Sequence, residues 1–403
     1  MPRGVSSLPL RSFADSSEKV KHNVSSLLFG VFTFSRPCGN NRLSKKRSFA
    51  VPICCGRRAR LAASTAVSMT ELRWNPTTRE WVSTASHRQD RPLMPRDSCP
   101  FCPGSGRVPD RYDVYIYPND FPAFSTPPPD PAIRDDALYR VRSSQGKCDV
   151  VLYHPDHHTS LPQLSLAHLR KLVRLWKARF HDLARSPGIR YVLIFENKGA
   201  AIGVTMPHPH GQIYAFPYVP PRLERELSVA RAYHQSKRRC LYCTILKKEL
   251  GDGRRLVAEN EAFVAFIPFY ARWPFEVHIF PRRHLETIDH FDGKEERGLA
   301  QILKWVTLKY DNLYHFSFPY MMVMHQAPTT GKFPYFHFHI EFYPPHRSKD
   351  RLKYLAGVAI GAGTFLNDSL AEEKAAELRA SPPARLSELA TARKRRFAKK
   401  SSR

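Results

Sequence analysis

Apolar positions along this chain recur with two different periods. Leu166, Leu169, Val173, Trp176, Phe180 and Leu183 step by three and four residues behind Ser165, and Leu299, Ile302, Leu303, Val306, Tyr310 and Leu313 repeat that spacing. The pattern predicts two amphipathic helices, the first capped by the Ser165 hydroxyl. Elsewhere the period drops to two. Ile213 and Ala215 alternate with Gln212 and Tyr214, as on a strand with one buried face. The runs DVVLYH (149–154), YVLIFENKG (191–199), FEVHIFP (275–281), YMMVMHQ (320–326) and HFHIEFY (337–343) also read as strands.

The order of these features occurs twice. The first half runs CPFC (99–102), NDFPAF (119–124), a strand ending in a histidine cluster, a helix, a strand and HPHGQ (208–212). The second runs CLYC (240–243), ENEAFVAF (259–266), a strand ending near a histidine, a helix, a strand and HFHIEFY. This layout is an internal duplication. It predicts an α+β fold of two similar units, 69–235 and 236–380, each ending on a strand that presents a histidine pair. Residues 1–68 precede them as a presequence and 381–403 follow as a basic tail.

The net charge of +27 changes this picture little once it is located. Residues 1–68 hold 12 Lys/Arg against 2 acidic residues, and RKRRFAKKSSR (393–403) adds seven more cations. The two ends thus carry about +17, and the remainder suits an enzyme of phosphorylated substrates. With no nucleic-acid recognition motif in the chain, a solvated tail is the reading of the C-terminus, and nucleic acid is set aside as a partner. The Ser-rich, Arg-rich, acid-poor composition of 1–68 is that of an organellar transit peptide, plastid or mitochondrial; translation from Met69 would instead give a cytoplasmic protein. No run of 18 apolar residues occurs, so no membrane span is expected.

The eight cysteines include two CxxC pairs, which in an intracellular chain favour metal over disulfide. Cys38, Cys54 and Cys55 fall in the presequence and Cys148 stands alone. His208 and His210, like His337 and His339, lie two apart on a strand and share one face. Such a pair can ligate a metal, act as a base with its orienter, or set a nucleophile beside a structural neighbour. A structural zinc needs four N/S ligands. Cys99, Cys102, His157 and His208 supply one set, and Cys240, Cys243, His284 and His337 supply its counterpart.

The stretches CPFCPG, YPNDFPAF, YHPDHHTSLPQLS, IFENKGAAIGVTMPHPHGQIYA, FPRRHLETI and HFHIEFYPP together resemble the galactose-1-phosphate uridylyltransferase family of the histidine-triad superfamily. The likeness runs from about Leu72 to Arg379. It implies duplicated histidine-triad-like units of antiparallel sheet with packed helices. It also implies a homodimer that exchanges UMP between UDP-glucose and galactose 1-phosphate, through a nucleotidyl-histidine. By the same resemblance His210 is the nucleophile, and His208 is a zinc ligand with Cys99, Cys102 and His157. Glu196, Asn197, Thr205 and Gln212 fall at positions around the nucleotide phosphates, Thr205 replacing a serine. Arg88, Arg91, Asn119 and Asp120 fall in the nucleotide pocket, and Lys353 falls in the segment that meets substrate. In that segment Ala359 stands where the family has an acidic residue against the sugar hydroxyls. The alternative is therefore a nucleotide-sugar phosphorylase of the same superfamily, acting on ADP-glucose or a UDP-sugar with phosphate. Some members hold iron through a glutamate and three histidines, here Glu226, His325, His337 and His339. Both second-half sets claim His337, and the presence of Cys240 and Cys243 favours zinc.

The residue types suit that chemistry. A neutral imidazole nitrogen can attack the α-phosphorus of a nucleotide sugar, splitting one transfer into two displacements. Its other ring N–H should be held by a backbone carbonyl, which fixes the tautomer. Pro209 stiffens the approach, and Gly211 is expected to let the phosphate come close to the backbone. Gln212 can donate a hydrogen bond to a phosphoryl oxygen but has no proton to release, which favours transfer between phosphates over hydrolysis.

Overall fold

The computed structural model describes residues 70–90 and 99–384. The proposed presequence, its three cysteines, Arg91 and nearly all of the basic tail lie outside those residues.

In chain order the strands of the first half are β1 (Thr70–Asn75), β2 (Glu80–Ala85), β3 (Tyr115–Pro118), β4 (Val141–Ser143) and β5 (Lys147–Leu152). Helix α1 (Leu166–Ala184) then leads to β6 (Tyr191–Lys198) and β7 (His210–Phe216). Two helices, α2 (Pro221–Lys237) and α3 (Leu241–Asp252), bridge to β8 (Leu256–Glu259), β9 (Phe263–Phe266) and β10 (Val277–Pro281). Helix α4 (Gly293–Tyr314) precedes β11 (Tyr320–His325) and β12 (His339–Tyr343). A short hairpin of β13 (His346–Ser348) and β14 (Arg351–Leu352) follows, then α5 (Gly357–Gly361) and α6 (Ala371–Ala380).

The two long helices form for the reasons their period suggests. Ser165 Oγ accepts the His168 N–H at 3.1 Å, capping α1, which buries Leu169, Val173, Trp176, Phe180 and Leu183. Leu166, expected in that stripe, is instead 45% exposed in the first turn. Helix α4 starts at a reciprocal cap: Asp292 accepts from Lys294 and Glu295, and the Glu295 carboxylate accepts the Asp292 N–H.

Nine strands form one antiparallel sheet in the order β3-β5-β7-β6-β11-β12-β10-β9-β8. Its middle is the β6·β11 pair, with Glu196 opposite Met322 and Asn197 opposite Met321. Outward from that pair the halves repeat: β6, β7, β5, β3 on one side and β11, β12, β10, β9 on the other. The expected duplication is thus a continuous sheet, since central strands that hydrogen-bond across the repeat boundary leave neither half an exposed edge there. Strands β2, β1 and β4 form a separate three-stranded sheet.

One face of the large sheet is covered by α1 and α4, where Val151, Ile194, Ile213, Ile279 and Ile340 pack into the main core. On the opposite face the halves differ. In the second half α2 and α3 lay Leu227, Ala230, Tyr242 and Leu246 over Val264, Phe266 and Phe280. Over β5–β7 that face carries a cavity instead. Among the described residues no helix is long and apolar enough to cross a membrane.

Candidate active site and metal clusters

The cavity, of about 840 Å³, is floored by alternate residues of three strands: Val150 of β5, Phe195 and Asn197 of β6, and His210, Gln212 and Tyr214 of β7. Its walls are the loops 99–107, 119–121 and 202–206 with Arg88. The period of two in HGQIYAF thus sorts Ile213 and Ala215 into the core, and His210 and Gln212 onto the cavity.

His210 opens β7, half-buried. Its Nδ1 lies 2.8 Å from the His208 carbonyl oxygen. A carbonyl only accepts, so Nδ1 carries the proton and Nε2 carries the lone pair. Phe101 packs beside both rings, its centroid 6.0 Å from His208 and 5.9 Å from His210.

Most residues expected at the nucleotide converge here. Arg88 Nη1 donates to the Phe121 carbonyl at 2.7 Å, while Asn119 Oδ1 accepts the Phe121 N–H at 2.9 Å, which closes the NDF turn. Asp120 accepts from Tyr117 Oη and from Arg107, each at 2.9 Å. Asn197, Thr205 and Gln212 also line the cavity.

Two expected residues do not. Glu196 alternates with Phe195 and Asn197 and turns to the helix-covered face, where it is buried between the hydroxyls of Tyr153 (3.3 Å) and Tyr320 (3.1 Å). Burial raises it to about 7, an effect that Lys198 and the two tyrosines only partly offset. Lys353 lies beyond β14, donates to the Leu366 carbonyl and is absent from the cavity wall of its own chain, as is Ala359 of α5.

Gly211 has a reason on the core side of the strand. A Cβ there would stand 2.2 Å from Tyr153 Oη and 3.0 Å from the Phe195 carbonyl oxygen, on the core side. The glycine makes room for the Tyr153–Glu196 pair behind the strand.

Sequence reasoning missed Arg107, Tyr117 and Phe195 on the cavity wall. The alternation of YIYP (115–118) carries a signal for Tyr117, whose neighbour Ile116 faces the core. Arg107 sits in a loop without any period.

Beside the cavity, Cys99, Cys102, His157 and His208 bring their ligand atoms within 4.8 Å of one another. The Cys102 sulfur lies 3.5 Å from His157 Nδ1 and 3.7 Å from His208 Nδ1. Burial, with the neighbouring His157, lowers His208 to about 4, so its ring is neutral, the form that ligates. Burial and the Cys99 sulfur push the Cys102 thiol up to about 11, and a cation among the four groups reverses that balance. Two sulfurs and two imidazoles suit a closed tetrahedral zinc.

The second half assembles Cys240, Cys243, His284 and His337 in the same way, with Cys243 Sγ at 3.3 Å from Nδ1 of each histidine. His337 Nε2 meets the Pro281 carbonyl at 3.1 Å, so both of its nitrogens are committed there. Glu226, His325 and His339 form a separate group without it. A last group, Glu276, His278 and Glu341, is already neutralised: Arg272 donates to both carboxylates, Arg222 to Glu341, and the Arg272 and Trp273 N–H groups to Glu276. It reads as a buried ion network.

The duplication also reproduces the geometry of His210. His339 Nδ1 lies 2.9 Å from the His337 carbonyl oxygen, as His210 does from that of His208. His339 is only 1% exposed, however, with the Tyr242 ring of α3 at 4.9 Å. The helices over the second half fill the place that the cavity takes in the first.

Models of the N-terminal and C-terminal domains of galactose-1-phosphate uridyl transferase match residues 60–220 and 226–395. A galactose-1-phosphate uridylyltransferase of Thermotoga maritima is 43% identical over 314 residues, covering 77% of this chain and 98% of its own. A solved uridylyltransferase structure superposes with a TM-score of 0.73 at 36% identity, over 77% of this chain and 98% of that one. An ADP-glucose phosphorylase of Arabidopsis thaliana with bound ADP-glucose superposes at 0.60 with 26% identity, over 79% and 99%. With matched models over most of its length, in the order its own repeat dictates, the chain belongs to the galactose-1-phosphate uridylyltransferase family.

Proposed function

We propose that the protein exchanges UMP between UDP-glucose and a hexose 1-phosphate, galactose 1-phosphate first, by a ping-pong mechanism through His210. The observation that carries this reading is the His210 ring, its Nδ1 proton held by the His208 carbonyl at 2.8 Å, in the wall of a nucleotide-sized cavity. Nε2 attacks the α-phosphorus, the bond to the sugar-phosphate oxygen breaks, and glucose 1-phosphate leaves with that electron pair. A phosphate oxygen of galactose 1-phosphate then attacks the uridylyl-histidine, and UDP-galactose forms as Nε2 departs. Both leaving groups are stable without a proton, so Gln212 serves as a hydrogen-bond donor to the phosphoryl oxygen and no general acid is needed. Arg88 and Asn119 shape the nucleotide end. Cys99, Cys102, His157 and His208, and likewise Cys240, Cys243, His284 and His337, would hold zinc, which would supply fold stability.

A phosphorylase is the second reading, favoured by Ala359 in place of an acidic residue. A panel of UDP-glucose with galactose 1-phosphate, and ADP-glucose with inorganic phosphate, decides between the two. Parallel-line kinetics with the first pair is the expected result; turnover of the second pair alone would overturn the uridylyltransferase reading.

The segment carrying Lys353 and Ala359 is rich in exposed apolar side chains, with Tyr354 76% and Ile360 70% exposed. We infer that a second copy of the chain covers it and that Lys353 serves the partner's cavity. Light scattering should give a dimer, and a monomer at assay concentration would refute this.

A further inference from the structure

Tyr112 lies outside the cavity and outside both ligand sets, yet it touches every segment that builds the first one. Its hydroxyl stands 2.8 Å from the Phe101 carbonyl in the CPFC loop, 3.1 Å from His208 Nε2, and 3.3 Å from the His154 carbonyl that precedes His157. Proton accounting fixes the direction of these bonds. His208 Nδ1 faces the Cys102 sulfur, so the ring proton sits on Nε2 and is donated to the Tyr112 oxygen. The single hydroxyl proton then goes to the nearer carbonyl, Phe101.

The second half shows the backbone version of this contact. There the corresponding histidine, His337, gives its Nε2 proton to a backbone carbonyl, that of Pro281, at 3.1 Å. In the first half the His154 carbonyl is still a backbone partner of His208, and the Tyr112 hydroxyl adds a side-chain partner. The difference matters because His208 has two tasks. Its ring faces the sulfurs, and its own carbonyl holds the Nδ1 proton of His210.

We propose that Tyr112 is a positioning residue for the transfer reaction: by accepting the Nε2 proton of His208 it sets the plane of that ring, and through the same residue's carbonyl it sets the tautomer and angle of His210. A tyrosine that merely fills space would need only its ring, which Tyr115 contacts at 5.9 Å. The hydroxyl is the part that bears on chemistry. The inference rests on the proposed roles of His210 and the first metal set, and its test separates the three.

The experiment compares wild type, Tyr112→Phe and Tyr115→Phe. Zinc release to a colorimetric chelator is followed in a Cys240→Ser background, where only the first set can hold metal, and steady-state kinetics in the otherwise native chain. Tyr112→Phe should release zinc about 10- to 100-fold faster. It should also lower kcat about tenfold with KM for UDP-glucose unchanged, since an angular error at the nucleophile costs rate and spares binding. Tyr115→Phe should match wild type in both. Unchanged release and kcat in Tyr112→Phe, or equal losses in both variants, would overturn the proposal. A wild type without zinc would refute the metal reading alone, and the kcat comparison would still decide the role of the hydroxyl.

Discussion

His210→Asn and His210→Ala are each expected to lose all covalent labelling by an α-³²P-labelled nucleotide sugar, and kcat by at least about four orders of magnitude. The asparagine variant keeps a polar side chain of similar reach on the same face of β7, so the loss cannot be assigned to a disturbed strand. What disappears is the ring nitrogen whose lone pair the His208 carbonyl exposes by holding the proton on the other side. The duplication supplies an internal control. His339 has the same carbonyl contact at 2.9 Å, but Tyr242 and the packed α2 and α3 leave it no cavity. Labelling should therefore saturate at about one nucleotide per chain and persist in His339→Gln. Acid-labile label at wild-type level in His210→Asn would sink the assignment.

How far the sequence foretold this site follows from what periodicity can carry. A period of two sorts His210, Gln212 and Tyr214 from Ile213 and Ala215 without further information, and the structure sorts them the same way. The same rule, applied to YVLIFENK, separates Asn197 from Glu196; the family resemblance implies both at the phosphates, and the pleat turns only Asn197 to the cavity. Local pattern outranked analogy at that position. Gly211 shows the opposite limit. A glycine declares that something comes close, but what comes close is Tyr153, across 58 residues of chain, and no local pattern contains that contact.

Helices are legible only when their stripe is. Helix α1 was evident from six apolar steps, whereas α2 buries only Leu223, Leu227 and Ala230 among charged neighbours and gives little period to find. That helix is nonetheless what makes the two halves unequal, because with α3 it covers the face left open over β5–β7. The duplication was visible as an order of motifs, but the merging of both halves into one nine-stranded sheet depends on the β6·β11 pairing. Backbone hydrogen bonds between strands so far apart in sequence leave no mark in side-chain pattern.

The unequal coverage of the halves makes the metal sites a sharp test. If each Cys₂His₂ set closes its own tetrahedron, the purified protein carries about two zinc per chain, and each cysteine variant should lose its own ion only. Cys99→Ser strikes the set that includes His208, whose carbonyl orients the His210 ring. It should lose about one zinc, lower Tm by on the order of 10 °C and reduce kcat by about 100-fold or more, because the loop from Cys99 to Arg107 also walls the cavity. Cys240→Ser strikes a set on the covered half. Cys240 stands at the N-cap position of α3, and His337 orients only the occluded His339. That variant should lose the other zinc and a similar amount of Tm, while kcat at a temperature where it stays folded falls by no more than about threefold. Metal analysis, thermal melts and activity at 25 °C on the two variants read all six numbers. An unchanged metal content in Cys240→Ser, with iron present, would move the second ion to Glu226, His325 and His339 and remove Cys240 and Cys243 from the ligand list. Equal loss of kcat in both variants would show that the halves are coupled through the β6·β11 seam more tightly than their separate ligand sets imply.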